Sequence, residues 1–232
     1  MNVTFPLNQL LDEWANAEFR EADLGDQRLT TRLIKITDNL ASLPECSINQ
    51  ACGNWADAKA AYRFFKNESI SESAILKAHV AKTIERSKKY KKILVIQDTF
   101  YLTYTSHKKT SGLGTIMDRA GIHKELLAEG LIMHTAFVVT TAGLPLGILD
   151  QKIYARPELP KKLKELKKKS HGNSVPIEEK ESMRWIESLV KSHDISDLPA
   201  SLFNSIILWA NGRLFWYQAQ FPCLICAHQS SF

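Results

Sequence analysis

Up to Lys92 the apolar residues recur at helical spacing, and from Ile93 onward they fall into the runs and alternations of extended chain. In QRLTTRLIKITDNLASL, Leu29, Leu33, Ile36, Leu40 and Leu43 recur at steps of four and three. A helix must bury such a stripe, and Asp26 stands where its carboxylate can cap the first turn. A second helix is expected over WADAKAAYRFFKN, with Trp55, Tyr62 and Phe65 as its buried face. A third is expected from Ser71, whose hydroxyl is the candidate cap of SESAILKAHVAKTIERSKK; Ile75, His79 or Val80, and Ile84 would face inward. The extended segments are KILVIQ, then a separate strand FYLTYT, then GLIMHTAFVVTTAGLPLGILDQKIYARP folding back at Thr141, Ala142 and Gly143. Three or more consecutive antiparallel strands result. Pro176 suits the first turn of a helix IEEKESMRWIESLVKSH that turns Met183, Trp185 or Ile186, and Leu189 inward. The expected class is α/β, a helical region followed by a mixed sheet with flanking helices.

Charge changes this picture more than composition does. The 232 residues, 44% hydrophobic, suffice for one large domain or two small ones. No run of 18 apolar residues occurs, and MNVTFPLNQLLDEW lacks a basic start and an apolar stretch, so neither a membrane span nor a secretion signal is expected. A net charge of +5 suits a polyanionic partner. Arg28, Arg32 and Lys35 form a basic stripe beside the apolar one, and Lys59, Arg63 and Lys66 recur at i, i+4 and i+7 on the next helix. Two short helices thus each offer three cations in a line, read either as a nucleic-acid footprint or as a pair of solvated faces. The stretch KKLKELKKKSHGN at 161 to 173 reads as a solvated insertion able to touch phosphates. Four cysteines without a disulfide framework fit a reducing cytoplasm; Cys223 and Cys226 with His228 make half a zinc site, and no second ligand pair lies at a matching spacing. No repeat, Walker loop, dinucleotide fingerprint, G-x-S-x-G elbow or H-E-x-x-H is present.

The most informative single residue is Asp98, a lone carboxylate at the end of the strand KILVIQ. An ionised Asp on such a rigid support supplies the hard oxygen ligands that a Mg²⁺ phosphoryl-transfer site needs, and a strand-end or turn carboxylate is the plainer reading.

FREADLGDQRLTTRL, AAYRFFKN, ILVIQDTFYLTY, GLIMHTAFVVT, ARPE and EEKESMRWIESL, in this order and spacing from about residue 13 to about residue 200, resemble the cut-and-paste DDE transposases of the insertion-sequence-four group, the transposon-five transposase type. The resemblance implies a bacterial cytoplasmic protein. It implies a helical domain at 1–75 that binds the terminal inverted repeats of an element as double-stranded DNA, and a partial ribonuclease-H-like catalytic core at 76–201. In such enzymes three carboxylates hold two Mg²⁺ ions for DNA cleavage and strand transfer. Asp98 matches the first, as catalytic residue and metal ligand. Arg28, Arg32 and Arg63 match DNA-contacting segments, and the two cationic stripes add Lys35, Lys59 and Lys66 to the expected DNA-binding set.

The chain departs from that family after EEKES. No carboxylate occurs from Leu202 onward, so the second and third acids and the dimerisation segment of intact relatives are missing. A shifted frame through Ser205 to Leu214 permits a string containing Val-Gly-Glu-Arg-Glu-Ala, close to the missing motif. The expectation is therefore a truncated, frameshifted transposase with an aberrant tail at 202–232, catalytically inactive and weak in Mg²⁺. The alternatives are a non-catalytic DNA-binding regulator or inhibitor of an intact transposase, and a nuclease pairing Asp98 with Asp118, Asp150, Asp194 or Glu181.

Overall fold

A computed structural model describes residues 7–104, 106, 109–117, 128–156, 183–196, 203–210 and 213–217; for 7–12, 195–196 and 203–217 it describes the backbone course only. The chain divides into two compact units, residues 1–82 and 83–232. The boundary falls inside a helix, a few residues beyond the expected position near 75.

The first unit comprises α1 (Leu7–Phe19), α2 (Gln27–Ser42), α3 (Ile48–Ala51), α4 (Trp55–Phe65) and the larger part of α5 (Glu72–Ser87). Asp26 caps α2 as expected, its carboxylate accepting from the Arg28 amide at 2.9 Å, and Leu33 and Ile36 are buried. Leu43, expected on the same stripe, is the C-cap residue and 46% exposed, because the helical phase ends with Ser42. Short helices let this unit bury small side chains closely: its core joins Ala22, Leu24, Leu33, Ile36, Cys52, Ala58, Ala61, Phe64 and Ala78. Ser47 and Gln50 close a reciprocal capping box on α3, while the Ser71 hydroxyl lies 2.6 Å from that of Ser73. On α5, Ala78 rather than His79 enters the core; His79 Nδ1 instead contacts the buried carboxylate of Glu18.

The second unit is built on one sheet: β1 (Ile93–Thr103), β2 (Gly114–Met117), β3 (Ala128–Thr140), β4 (Pro145–Tyr154), β5 (Phe203–Ala210) and β6 (Arg213–Tyr217), with α6 (Met183–Ser196) between β4 and β5. β1 pairs antiparallel with β3 over its whole length, and β4 and β2 pair antiparallel with the other edge of β3. The β3–β4 hairpin turns where expected. Gly143 takes φ +84° there, a left-handed conformation that costs an L side chain strain, and its amide donates to Thr140 O at 2.9 Å. β5 lies on the free side of β1 and runs parallel to it, from Ile93 opposite Phe203 to Gln97 opposite Leu208, and β6 returns antiparallel beside β5. The α/β class is as expected, and the segment expected to be aberrant contributes two strands of backbone pairing.

Two sequence expectations fail here. KILVIQ and FYLTYT are one strand, so Asp98 lies in the middle of β1 rather than at its end. Gln97, Asp98 and Thr99 look like a polar break, but Gln97 Oε1 and the Thr99 hydroxyl both meet His134 of β3, while Gln97 Nε2 is buried without a hydrogen-bond partner among the described residues. On α6 the sheet-facing row is Trp185, Ser188 and Ser192, the two serines buried, with Met183, Ile186 and Leu189 only partly covered. Small hydroxyl residues let the helix lie close to the sheet.

Candidate nucleic-acid interface

The six cations expected to touch DNA fall into two groups with different surroundings. On α2, Arg28 is occupied by its own helix cap: Nη2 and Nε donate to Asp26 Oδ2 at 2.7 and 3.1 Å, and this guanidinium holds the Asp26 carboxyl below its usual range. Arg28 remains 91% exposed as a side chain. Arg32 Nη1 and Lys35 Nζ both reach Asp57 Oδ1 on α4, at 3.1 and 2.9 Å. Asp57 is fixed in turn by Asn54, the N-cap of α4, whose Oδ1 accepts from the Asp57 amide at 2.9 Å and whose Nδ2 donates to Oδ2 at 2.8 Å. Hydrogen bonds from Lys35, then Asn54, and also Arg32 lower the Asp57 carboxyl to about 2. Arg32 and Lys35 therefore clamp α2 to α4. A phosphate that drew on them would compete with Asp57.

On α4 the cations are free. Lys59, Arg63 and Lys66 are exposed and make no ion pair among the described residues. At 3.6 residues per turn, Lys59 and Lys66 lie about 160–180° around α4 from Asp57. The two stripes are thus not one continuous line: one faces the helix partner and the other faces solvent.

The expected buried face of α4 is its exposed one. Trp55 is 74% exposed, Phe65 54% and Tyr62 48%, while Ala58, Ala61 and Phe64 are buried. The approach of α2 and α4 requires alanine at the contact, which leaves the three large rings outside. Trp55, Lys59, Tyr62 and Lys66 stand at i, i+4, i+7 and i+11, one row of alternating ring and charge about 16 Å long, with Arg63 beside it.

Asp98 belongs to a different surface. Its direct partner across the sheet is Thr135, and Thr135 pairs with Gln151, so these three share one face. Asp98 is half-buried, and its Oδ1 accepts from the Thr99 amide at 2.7 Å. Asp150 lies opposite Ala136, which lies opposite Gln97, on the other face, where Lys191 Nζ sits 2.6 Å from its carboxylate. Asp194 is on α6, over that second face, 3.6 Å from His193. Neither acid shares the Asp98 face. Asp118, Glu181, the stretch 161–173, and Cys223, Cys226 and His228 lie outside the described residues. Among the described residues no three His, Cys, Asp or Glu side chains gather as a metal-binding group. Among the described residues, the cross-strand neighbours that share the Asp98 face are the Thr135 hydroxyl and the Gln151 amide, neutral oxygens that would need further carboxylates beside them to hold two divalent cations.

Sequence reasoning missed His134. It is 1% exposed in β3, opposite Thr99. Its Nδ1 lies 2.9 Å from Thr99 Oγ1, its Nε2 lies 3.2 Å from Gln97 Oε1, and the Trp185 ring stands edge-on at 4.5 Å. Gln97 Oε1 can only accept, so Nε2 carries the proton and Nδ1 accepts from the threonine hydroxyl. Burial chiefly, with Arg184 adding, lowers its pKa to about 4 and keeps the ring neutral. The signal was a histidine in the middle of an apolar strand, GLIMHTAFVV, next to a strand that carries Gln97 and Thr99 two apart.

Residues 11–70 match the family model described as transposase DNA-binding. The match covers α2, α3 and α4 with both cationic stripes, and it supports a transposase-related DNA-binding role. No helix among the described residues is long and apolar enough to cross a membrane.

Proposed function

We propose that this chain is a transposase-derived protein whose helical unit binds double-stranded DNA at the terminal inverted repeats of an element. In this reading the outer face of α4 is the contact. Lys59, Arg63 and Lys66 meet phosphates, Arg28 reaches from the start of α2, and Arg32 and Lys35 chiefly hold the two helices in register. The observation that carries it is the set of exposed cations on α4 that have no acidic partner among the described residues, inside the segment that matches transposase DNA-binding. Arg63 can hold a phosphate bidentately, and the lysines act as point charges.

The finer assignment is to the insertion-sequence-four group with a ribonuclease-H-like core. Its support is the motif order in the sequence and the arrangement in which β1, β3 and β4 form an antiparallel run and the strand after a helix returns parallel beside β1. A second acid for Asp98 would come from that returning strand, and β5 reads FNSIILWA, without one. We therefore read the chain as a non-catalytic DNA binder, a regulator or competitive inhibitor of an intact relative, with the stretch from Leu202 shifted out of frame. Mg²⁺ has no assigned role.

The test is a fluorescence-anisotropy titration of the full chain with a 30-base-pair duplex at several salt concentrations. The logarithm of affinity should fall linearly with the logarithm of salt. Lys59→Ala, Arg63→Ala and Lys66→Ala should each reduce the slope by about one, while Asp98→Ala leaves it unchanged. Wild-type slope in all three α4 variants would overturn the assignment of the contact. Mg²⁺- or Mn²⁺-dependent nicking that Asp98→Ala abolishes would overturn the non-catalytic reading.

A further inference from the structure

Three large aromatic side chains stand in solvent on a helix of 11 residues. A surface that needed only to grip phosphates would gain nothing from them, because phosphate offers no apolar partner, and a contiguous exposed aromatic patch marks a contact. The cations between the rings narrow the occupant. Lys59 and Lys66 alternate with Trp55 and Tyr62 along one row, with Arg63 alongside and no acid engaged with them among the described residues. The surface complements a polyanion that also presents flat apolar faces, and nucleic-acid bases beside their phosphates answer both requirements.

In an intact B-form duplex the base faces are covered by their neighbours, and only base edges show in the grooves. A Trp side chain projecting from an exposed helix finds a base face by forcing a stacked step apart, at a few kcal/mol, or at least cost where pairing has already opened. Trp55 and Tyr62 are two turns apart, about 10 Å along the axis, so the row spans several nucleotides of an opened strand.

We infer that the outer face of α4 takes duplex DNA carrying unpaired bases: Lys59, Arg63 and Lys66 hold the phosphates, and Trp55, with Tyr62 behind it, stacks on a base released from the helix. The inference rests on the DNA-binding reading above and goes beyond it by naming the form of DNA that the site prefers. Because Trp55 and Tyr62 lie outside the core, their removal does not draw on the packing of Ala58, Ala61 and Phe64.

The full chain is titrated by anisotropy, at one salt concentration, with two labelled DNAs of the same length. One is a closed, fully paired duplex with G·C pairs at both ends, and the other carries a run of five unpaired thymines within it. Wild type should bind the second about tenfold more tightly, the scale of one base-aromatic stack. Trp55→Ala should erase that advantage without changing the affinity for the closed duplex, and Trp55→Phe should keep most of it. Lys59→Ala should weaken both DNAs alike. Equal wild-type affinity for the two DNAs overturns this inference and leaves the DNA-binding reading standing, whereas no binding to either overturns both. Trp55→Ala that reduces self-association in sedimentation and leaves the preference intact overturns it in favour of a second copy of the chain as occupant.

Discussion

Asp57 shows how one carboxylate can decide what its neighbours are free to do. It accepts from Arg32, Lys35 and Asn54 together, so two of the six cations that the sequence offers to DNA are engaged within the protein. His134 plays the opposite part in the second unit, a titratable group that burial keeps uncharged between Gln97 and Thr99. Both groups bind protons less readily folded than unfolded, so both make stability fall as pH falls. For His134 the window runs from about 6.5, its unfolded value, down to the folded value of about 4; for Asp57 it runs from about 3.8 down to about 2. Urea-unfolding free energy measured from pH 7 to pH 4 should therefore decline, the His134 contribution approaching about 1.4 kcal/mol per pH unit within its window. His134→Gln should flatten that limb; an unchanged slope would mean that the imidazole is protonated in place.

The same contrast between volume and position governs the elements. The start and the buried stripe of α2 were legible because a capping Asp precedes an apolar row at steps of three and four, and both signals are local. The face of α4 was not, because ring size suggested burial while the actual contact is set by how close two helices come. Alanine permits that approach and tryptophan prevents it. This fixes an order of mutational effects: Ala61→Leu should cost about 1–3 kcal/mol through overpacking, while Trp55→Ala should stay within about 0.5 kcal/mol. Thermal melts of the two variants measure this, and the reverse order would return Trp55 to the core. β1 was misread as two strands for a related reason. Gln97 and Thr99 are polar yet face the covered side of the sheet, where a histidine far away in sequence meets the Gln97 Oε1 and the Thr99 hydroxyl. Asp98 draws attention by its chemistry, but its distance from Asp150 and Asp194 was not legible. Which acids share its face depends on the register of β1, β3 and β4, and that register places Asp150 on the opposite side.

For the molecule as a whole, the division at residue 82 separates a DNA-binding role, carried by local helical signals, from a sheet whose pairing is long-range. The final strands belong to that sheet even though their sequence carries none of the expected acids. Ending the chain at Ser201 would strip β5 from Ile93–Gln97 and leave the middle of an apolar strand as an edge. Such a chain should show light scattering and a lowered melting temperature, while the helical unit keeps its DNA affinity. A soluble product with an unchanged melt would mean that β5 contributes nothing to the sheet.

The parallel partner of β1 also sets a clock. Ile93 meets Phe203 only after 110 further residues have been made. At the ordinary pace of synthesis, about 5–20 residues per second, the central strand waits on the order of 5–20 s with one side unpaired, although β3 and β4 can already have joined the other. During that interval the nascent sheet is most open to capture by another chain or a chaperone. Slowing translation across 155 to 202 should lengthen that exposure without altering a single contact in the finished protein.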